Sequence, residues 1–164
     1  MNLIIITAVL FVLFVGLSLI ILGVQPSISA IYKALPSKWK WLFVLFMFIL
    51  GGLCIAIGSN NAMTIMGFGC FFVGSFPRFY DDQGFQHYIG ALAIISAGMW
   101  HVGVVLELWI LPLIFGIITI IILLFNVRNK ILWIELSAFA IMIFGLVFEY
   151  SHELMVKISL QLKL

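Results

Sequence analysis

Charge is scarce in this sequence. Only 9% of its 164 residues are Asp, Glu, Lys or Arg, against about 25% in soluble domains, so it lacks the polar shell of a water-soluble fold. A net charge of +2 gives no electrostatic footprint for nucleic acid, because the basic residues sit at the ends of apolar runs rather than along one stripe. Cysteine is nearly absent as well. Cys54 and Cys70 both lie in apolar runs, where a thiol packs as a small hydrophobe, so neither a disulfide framework nor a Cys-based metal site is indicated. No phosphate-binding glycine loop, zinc signature, nucleophile elbow or redox pair occurs. No cofactor is therefore expected, and a divalent metal stays open only at the polar clusters described below.

What the chain has is apolar length. It is 65% hydrophobic, with a mean hydropathy of +1.32. A hydrocarbon layer of about 30 Å needs about 20 apolar residues per helix. Six runs, 2–24, 41–58, 62–78, 87–106, 108–126 and 131–149, take up nearly the whole chain, so residues 1–164 read as a single integral membrane domain. In hydrocarbon every backbone polar group must be bonded internally, and these runs lack the alternation of a barrel strand. The expected fold is an all-α polytopic membrane bundle of six transmembrane helices. The first run has no basic leader and exceeds the apolar core of a signal peptide, so it reads as a retained span despite the small-x-small pattern at Ser27 and Ser29.

Cations fall in alternate gaps: Lys33, Lys38 and Lys40 in the first, Arg78 in the third, Arg128 and Lys130 in the fifth. The positive-inside rule puts these gaps in the cytoplasm of a plasma (inner) membrane protein with both termini outside; Lys157 and Lys163 of the tail are the exceptions. In the first gap Pro26-Ser27 resembles a helix start, and Ile28, Ile31, Tyr32 and Leu35 follow at helical spacing before Pro36. This predicts a short amphipathic interfacial helix on the inner leaflet, with Trp39 and Trp41 flanking Lys40 as anchors; a plain anchored loop is the alternative. Ser59-Asn60-Asn61 forces the second and third spans antiparallel, and their glycines allow close approach. Pro112 and Gly116 predict a kink in the fifth span.

Polar residues gather in two layers. The inner one holds Arg78, Tyr80, Asp81, Asp82 and His87 in the loop before the fourth span, with Glu135 near the start of the sixth. Asp81, Asp82 and His87 suit a divalent ion or acid–base work, and Arg78 suits a phosphate or carboxylate. The same residues also suit a capped turn with a headgroup anchor, and Glu135 suits pairing with Arg128 or Lys130. The outer layer holds His101, Glu107, Glu149 and His152; Glu-x-x-His spacing serves carboxylate-bridged metals, although those sites use two copies. His87 and His101 are 14 residues apart on one helix, about 21 Å, so they cannot share a metal. Their common face runs through Ala91, Ile94 and Gly98, while Glu135, Ala138, Met142, Gly145 and Glu149 form a comparable face on the sixth span. If these spans are neighbours, Glu135 comes level with His87, and Glu149 and His152 approach His101. The serines, Ser29 included, show no activating context in the sequence.

Gly74-Ser75-Phe76-Pro77, a polar loop, then His87-Tyr88-Ile89-Gly90-Ala91 resembles the G-x-F-P…H-x-x-G-A block of an uncharacterised bacterial multi-pass family, the domain of unknown function 998 type. That resemblance covers residues 74–91, implies a bacterial plasma-membrane protein and marks Pro77 and His87; it brings no activity. A fainter similarity is to ceramidase-like membrane hydrolases, whose C-terminal His-x-x-x-His pair this chain lacks. Three functions follow. One is a binding, sensing or assembly component whose cytoplasmic-side loops meet lipid headgroups or a protein partner. Another is a small proton- or ion-linked transporter using the polar faces of spans four and six, with homo-oligomerisation to enclose a path. The last is a metal-dependent lipid hydrolase using Asp81, Asp82 and His87. The absence of ionisable residues between the two layers argues against the carrier, whose coupling groups usually sit near the midplane.

Overall fold

The computed structural model describes residues 3–58, 60–77 and 84–161. Arg78, Tyr80, Asp81 and Asp82 of the expected inner cluster lie outside them. The chain is all-helical, 85% helix, with seven α-helices among the described residues: α1 Leu3–Leu22, α2 Ala30–Ala34, α3 Lys40–Ile57, α4 Asn61–Ser75, α5 Gly84–Trp100, α6 Ile110–Leu124 and α7 Lys130–Gln161. Among the described residues, four segments are long and apolar enough to cross a membrane: Leu3–Leu22, Ser37–Ile57, Gly84–Val105 and Lys130–His152. The expected runs 62–78 and 108–126 shorten to α4 and α6, 15 residues each, which is about 22 Å at 1.5 Å per residue. Both shortenings have local causes. Phe76-Pro77 ends α4 because the residue before a proline is pushed out of helical geometry. Asn126 at φ 46° follows the last residues of α6 in the left-handed conformation that Asn tolerates at a helix C-terminus.

Burial follows helical spacing. On α1 the buried positions are Ile4, Thr7, Phe11, Val15 and Ser18, one stripe at i, i+3/i+4, and the opposite side of the helix is exposed apolar surface. Phe14 stacks on Phe46 of α3 at 4.0 Å between centroids, and Phe11 stacks on Phe139 of α7 at 4.3 Å. These offset ring pairs join the first, third and last helices, and such pairs contribute about 0.5–1.5 kcal/mol each beyond their buried area.

The helix α4 is held on two sides by small residues. A Cβ on Gly51 of α3 would come within 2.7 Å of the Gly67 carbonyl oxygen, and one on Gly69 within 2.7 Å of the Gly90 oxygen on α5. Any side chain at these four positions forces backbones apart, so both seams depend on glycine. Between α5 and α7 the contact is made by a side chain: a Cβ on Gly98 would overlap the flexible Met142 thioether.

Two expectations are corrected. The first-gap helix, predicted to lie on the inner leaflet, is only the five residues of α2, and Ser27 to Ile31 are all buried in the bundle. Of the predicted apolar face, Ile28 and Ile31 are covered by protein, and Tyr32 and Leu35 are half-buried against the core. The predicted kink at Pro112 also has no basis, because α6 begins at Ile110 and places Pro112 in its first turn. A missing N–H removes no intrahelical bond there, and the ring instead packs beside Gly103.

Candidate functional site

The inner layer is assembled from the first loop, the start of α5 and the start of α7. Pro26 accepts the N–H of Leu132 through its carbonyl at 3.0 Å, which satisfies one of the orphan amides in the first turn of α7. One turn further on, Glu135 Oε2 accepts the N–H of Ile28 at 2.5 Å. Glu135 is thus used to hold the first loop, a role different from the Arg128 or Lys130 pairing read from its position in sequence. The Ser27 hydroxyl accepts the N–H of Ala30 at 3.1 Å, which closes the turn leading into the short α2.

His87 is almost fully buried, at 2% exposure, and bonds through both ring nitrogens. Nδ1 lies 2.9 Å from the Phe76 carbonyl oxygen at the end of α4, and Nε2 lies 2.8 Å from Ser29 Oγ. A carbonyl oxygen only accepts, so Nδ1 carries the proton of the neutral ring, Nε2 is the acceptor, and the Ser29 hydroxyl donates to it. The Phe76 carbonyl is one of the groups a helix leaves unpaired at its C-terminus, and His87 uses it to fix ring and tautomer. The Tyr88 ring meets the imidazole edge-on at 6.2 Å.

Ser29, His87 and Glu135 all face a cavity of about 420 Å³ lined by Pro26, Ser27, Ser29, His87, Tyr88, Ala91, Leu92, Ile95, Ile131, Ile134 and Glu135. Four of these, Pro26, Tyr88, Leu92 and Ile131, are exposed on the outside of the bundle, so the cavity has its mouth between α5 and α7, beside the first loop. One end is polar and the rest is hydrocarbon. Cavities of roughly 300–1,000 Å³ with a few convergent polar groups are the usual size and make-up of small-molecule sites.

The outer layer is smaller. His101 opens a wide final turn, His101–Val105, in which Leu106 N–H bonds to the His101 carbonyl at 3.0 Å; such i→i+5 turns commonly re-aim side chains. Asn60 caps α4 by accepting the Met63 N–H at 3.2 Å, and its amide lies 3.1 Å from His101 Nδ1. With Oδ1 committed to the cap, the amide NH₂ donates to Nδ1, leaving a proton on Nε2 facing Glu149 Oε2 at 3.4 Å. The faces of α5 and α7 thus meet through His101 and Glu149 at one end, and their other ends share the cavity wall. Glu107 and His152 are both exposed, and among the described residues no hydrogen bond joins either to His101. Nor do three His, Cys, Asp or Glu side chains converge there as a metal-ligand group. The thiols of Cys54 and Cys70 are free and buried.

Nothing near Ser29 in the sequence marks it as a partner of His87. It sits 58 residues from His87 in the chain, and only the fold of the first loop brings the two together. The one local signal was the Pro26-Ser27-Ile28-Ser29 helix start, which fixes where the hydroxyls can point but not what they meet. No protein-family model, curated protein or solved structure matches the chain.

Proposed function

We propose that this chain is a multi-pass plasma-membrane protein that binds an amphipathic lipid-like molecule in the cavity between α5 and α7. The observation that carries the reading is the cavity's make-up: an apolar interior with Ser29, His87 and Glu135 at one end and a mouth at the bundle surface between two membrane-length helices. A ligand with one apolar chain and a hydrogen-bonding head matches both parts. In this reading α4 and α6 also cross, giving six spans, because local thinning of the bilayer accommodates a short helix at modest cost. Both termini then face outside, and the cavity lies toward the cytoplasmic leaflet, as the alternating cations indicate. The resemblance of residues 74–91 to a bacterial multi-pass family agrees with that location.

Binding fits better than transport. The inner and outer polar layers are about 21 Å apart along α5, and the stretch between His87 and His101 contains no Asp, Glu, Lys, Arg or further His. The test is displacement of a dansyl-labelled fatty acid from the detergent-solubilised protein. Ile134→Trp, which fills the cavity from its α7 wall, should weaken binding at least tenfold, whereas Leu113→Trp on the exposed face of α6 should leave it unchanged. Equal binding in both variants, with unfolding temperatures close to the parent's, would rule the cavity out.

A further inference from the structure

We infer that Ser29 and His87 form a nucleophile–base pair that transfers the acyl group of a lipid carboxylic ester. The inference rests on the cavity being a ligand site, and it adds a reaction to that reading. An alcohol is a poor nucleophile unless a base within about 2.6–3.2 Å can take its proton, with a third group holding the base in the right tautomer. All three parts are present. Ser29 Oγ lies 2.8 Å from His87 Nε2, and the Phe76 carbonyl at 2.9 Å fixes the proton on Nδ1. A neutral carbonyl replaces the carboxylate of a Ser-His-Asp triad, so it orients the imidazole but stabilises the imidazolium less.

The two neighbouring hydroxyls are not equivalent. Ser27 Oγ accepts the Ala30 N–H in the turn before α2, whereas Ser29 Oγ lies against the imidazole. Both residues line the same cavity as the apolar wall formed by Ala91 and Ile95. An acyl chain against that wall brings its ester carbonyl toward Ser29. Glu135, through its bond to the Ile28 N–H, acts as a positioning residue: it holds the backbone beside Ser29 and touches no reacting atom.

The chemistry balances with water alone. Ser29 Oγ attacks the ester carbonyl as Nε2 takes its proton; the carbonyl–oxygen bond to the alcohol breaks as Nε2 returns that proton to the leaving oxygen. Water then attacks acyl-Ser29, Nε2 takes a proton from it, and the fatty acid leaves as that proton returns to Ser29 Oγ. The sum is ester plus water giving acid plus alcohol.

A long-alkyl fluorophosphonate, which phosphonylates activated serines, tests the pair in the full chain in detergent. Labelling should map to Ser29 by peptide mass, vanish in Ser29→Ala, fall at least tenfold in His87→Gln and persist in Ser151→Ala, which changes an exposed serine at the far end of α7. A second measurement does not depend on the His87 variant folding. The thiol of Ser29→Cys should alkylate with iodoacetamide at pH 6.5 at least tenfold faster than that of Ser27→Cys. Absent labelling with dansyl fatty acid still bound, or equal thiol rates, overturns the acyl-transfer role and leaves the binding site standing. Loss of fatty-acid binding in the parent protein overturns both.

Discussion

The Glu135 carboxylate accepts the amide N–H of Ile28 across 107 residues of sequence, at 2.5 Å. The bond ties the loop after the first helix to the first turns of the last. It lies one turn from the Pro26–Leu132 bond, so the loop is fastened at two points. Replacing Glu135 by Leu leaves a buried backbone donor unpaired, which costs about 1–3 kcal/mol. Thermal unfolding in detergent should fall accordingly, and fluorophosphonate labelling of Ser29 should fall with it, while Glu135→Gln, which still offers an acceptor, retains most of both. Unchanged stability in Glu135→Leu would show that the loop is held by packing alone.

The glycine seams give a paired prediction. Gly69→Leu places atoms where the Gly90 backbone already lies, and overpacking of this kind costs about 1–3 kcal/mol or more. By contrast, Gly116 of α6 has open space around its Cβ position, so Gly116→Ala should be neutral or stabilising by up to about 1 kcal/mol through reduced freedom of the unfolded chain. Unfolding temperatures of the two variants in one detergent should move in opposite directions or differ by the whole of the Gly69 penalty.

Pro112→Ala should change stability little, since the proline occupies the first turn of α6, where its missing N–H is not needed. A large gain on substitution would mean that the proline strains the helix after all.

These outcomes separate what the sequence could convey from what it could not. The long apolar runs mark α1 and α3 within two residues and the starts of α5 and α7 within three, because a hydrocarbon solvent leaves a 20-residue apolar segment little choice but helix, but α7 continues to Gln161, twelve residues past the expected end at 149. Face matching was also legible: His101 and Glu149 belong to patterns of small residues at helical spacing, and those patterns meet in the fold. Three features were not legible. The ends of α4 and α6 are set by Phe76-Pro77 and by Asn126, single residues that a hydropathy window averages away. The burial of α2 depends on Ile28 and Ile31 finding protein instead of lipid, and both environments reward the same apolar side chain. The Ser29–His87 bond is made by a loop whose path no periodicity describes.

At the outer end, Asn60→Ala removes two interactions at once, the cap on α4 and the donor to His101 Nδ1. Loss of an N-cap costs about 0.5–2 kcal/mol. The double variant Asn60→Ala with Glu149→Gln should destabilise by less than the sum of the two single changes, because both partners act on the same imidazole. Strict additivity in thermal unfolding would show that the two contacts are independent.

The cavity walls come from the first loop, α5 and α7, which are made at widely separated times as the chain leaves the ribosome. Until α7 enters the bilayer, His87 and Ser29 have no third wall beside them, and the Ile28 amide lacks its carboxylate. The site is therefore the last thing the bundle acquires. A nascent chain stalled before α7 would carry the serine and the histidine with no enclosed space in which to use them, which confines any lipid chemistry at this site to the finished molecule.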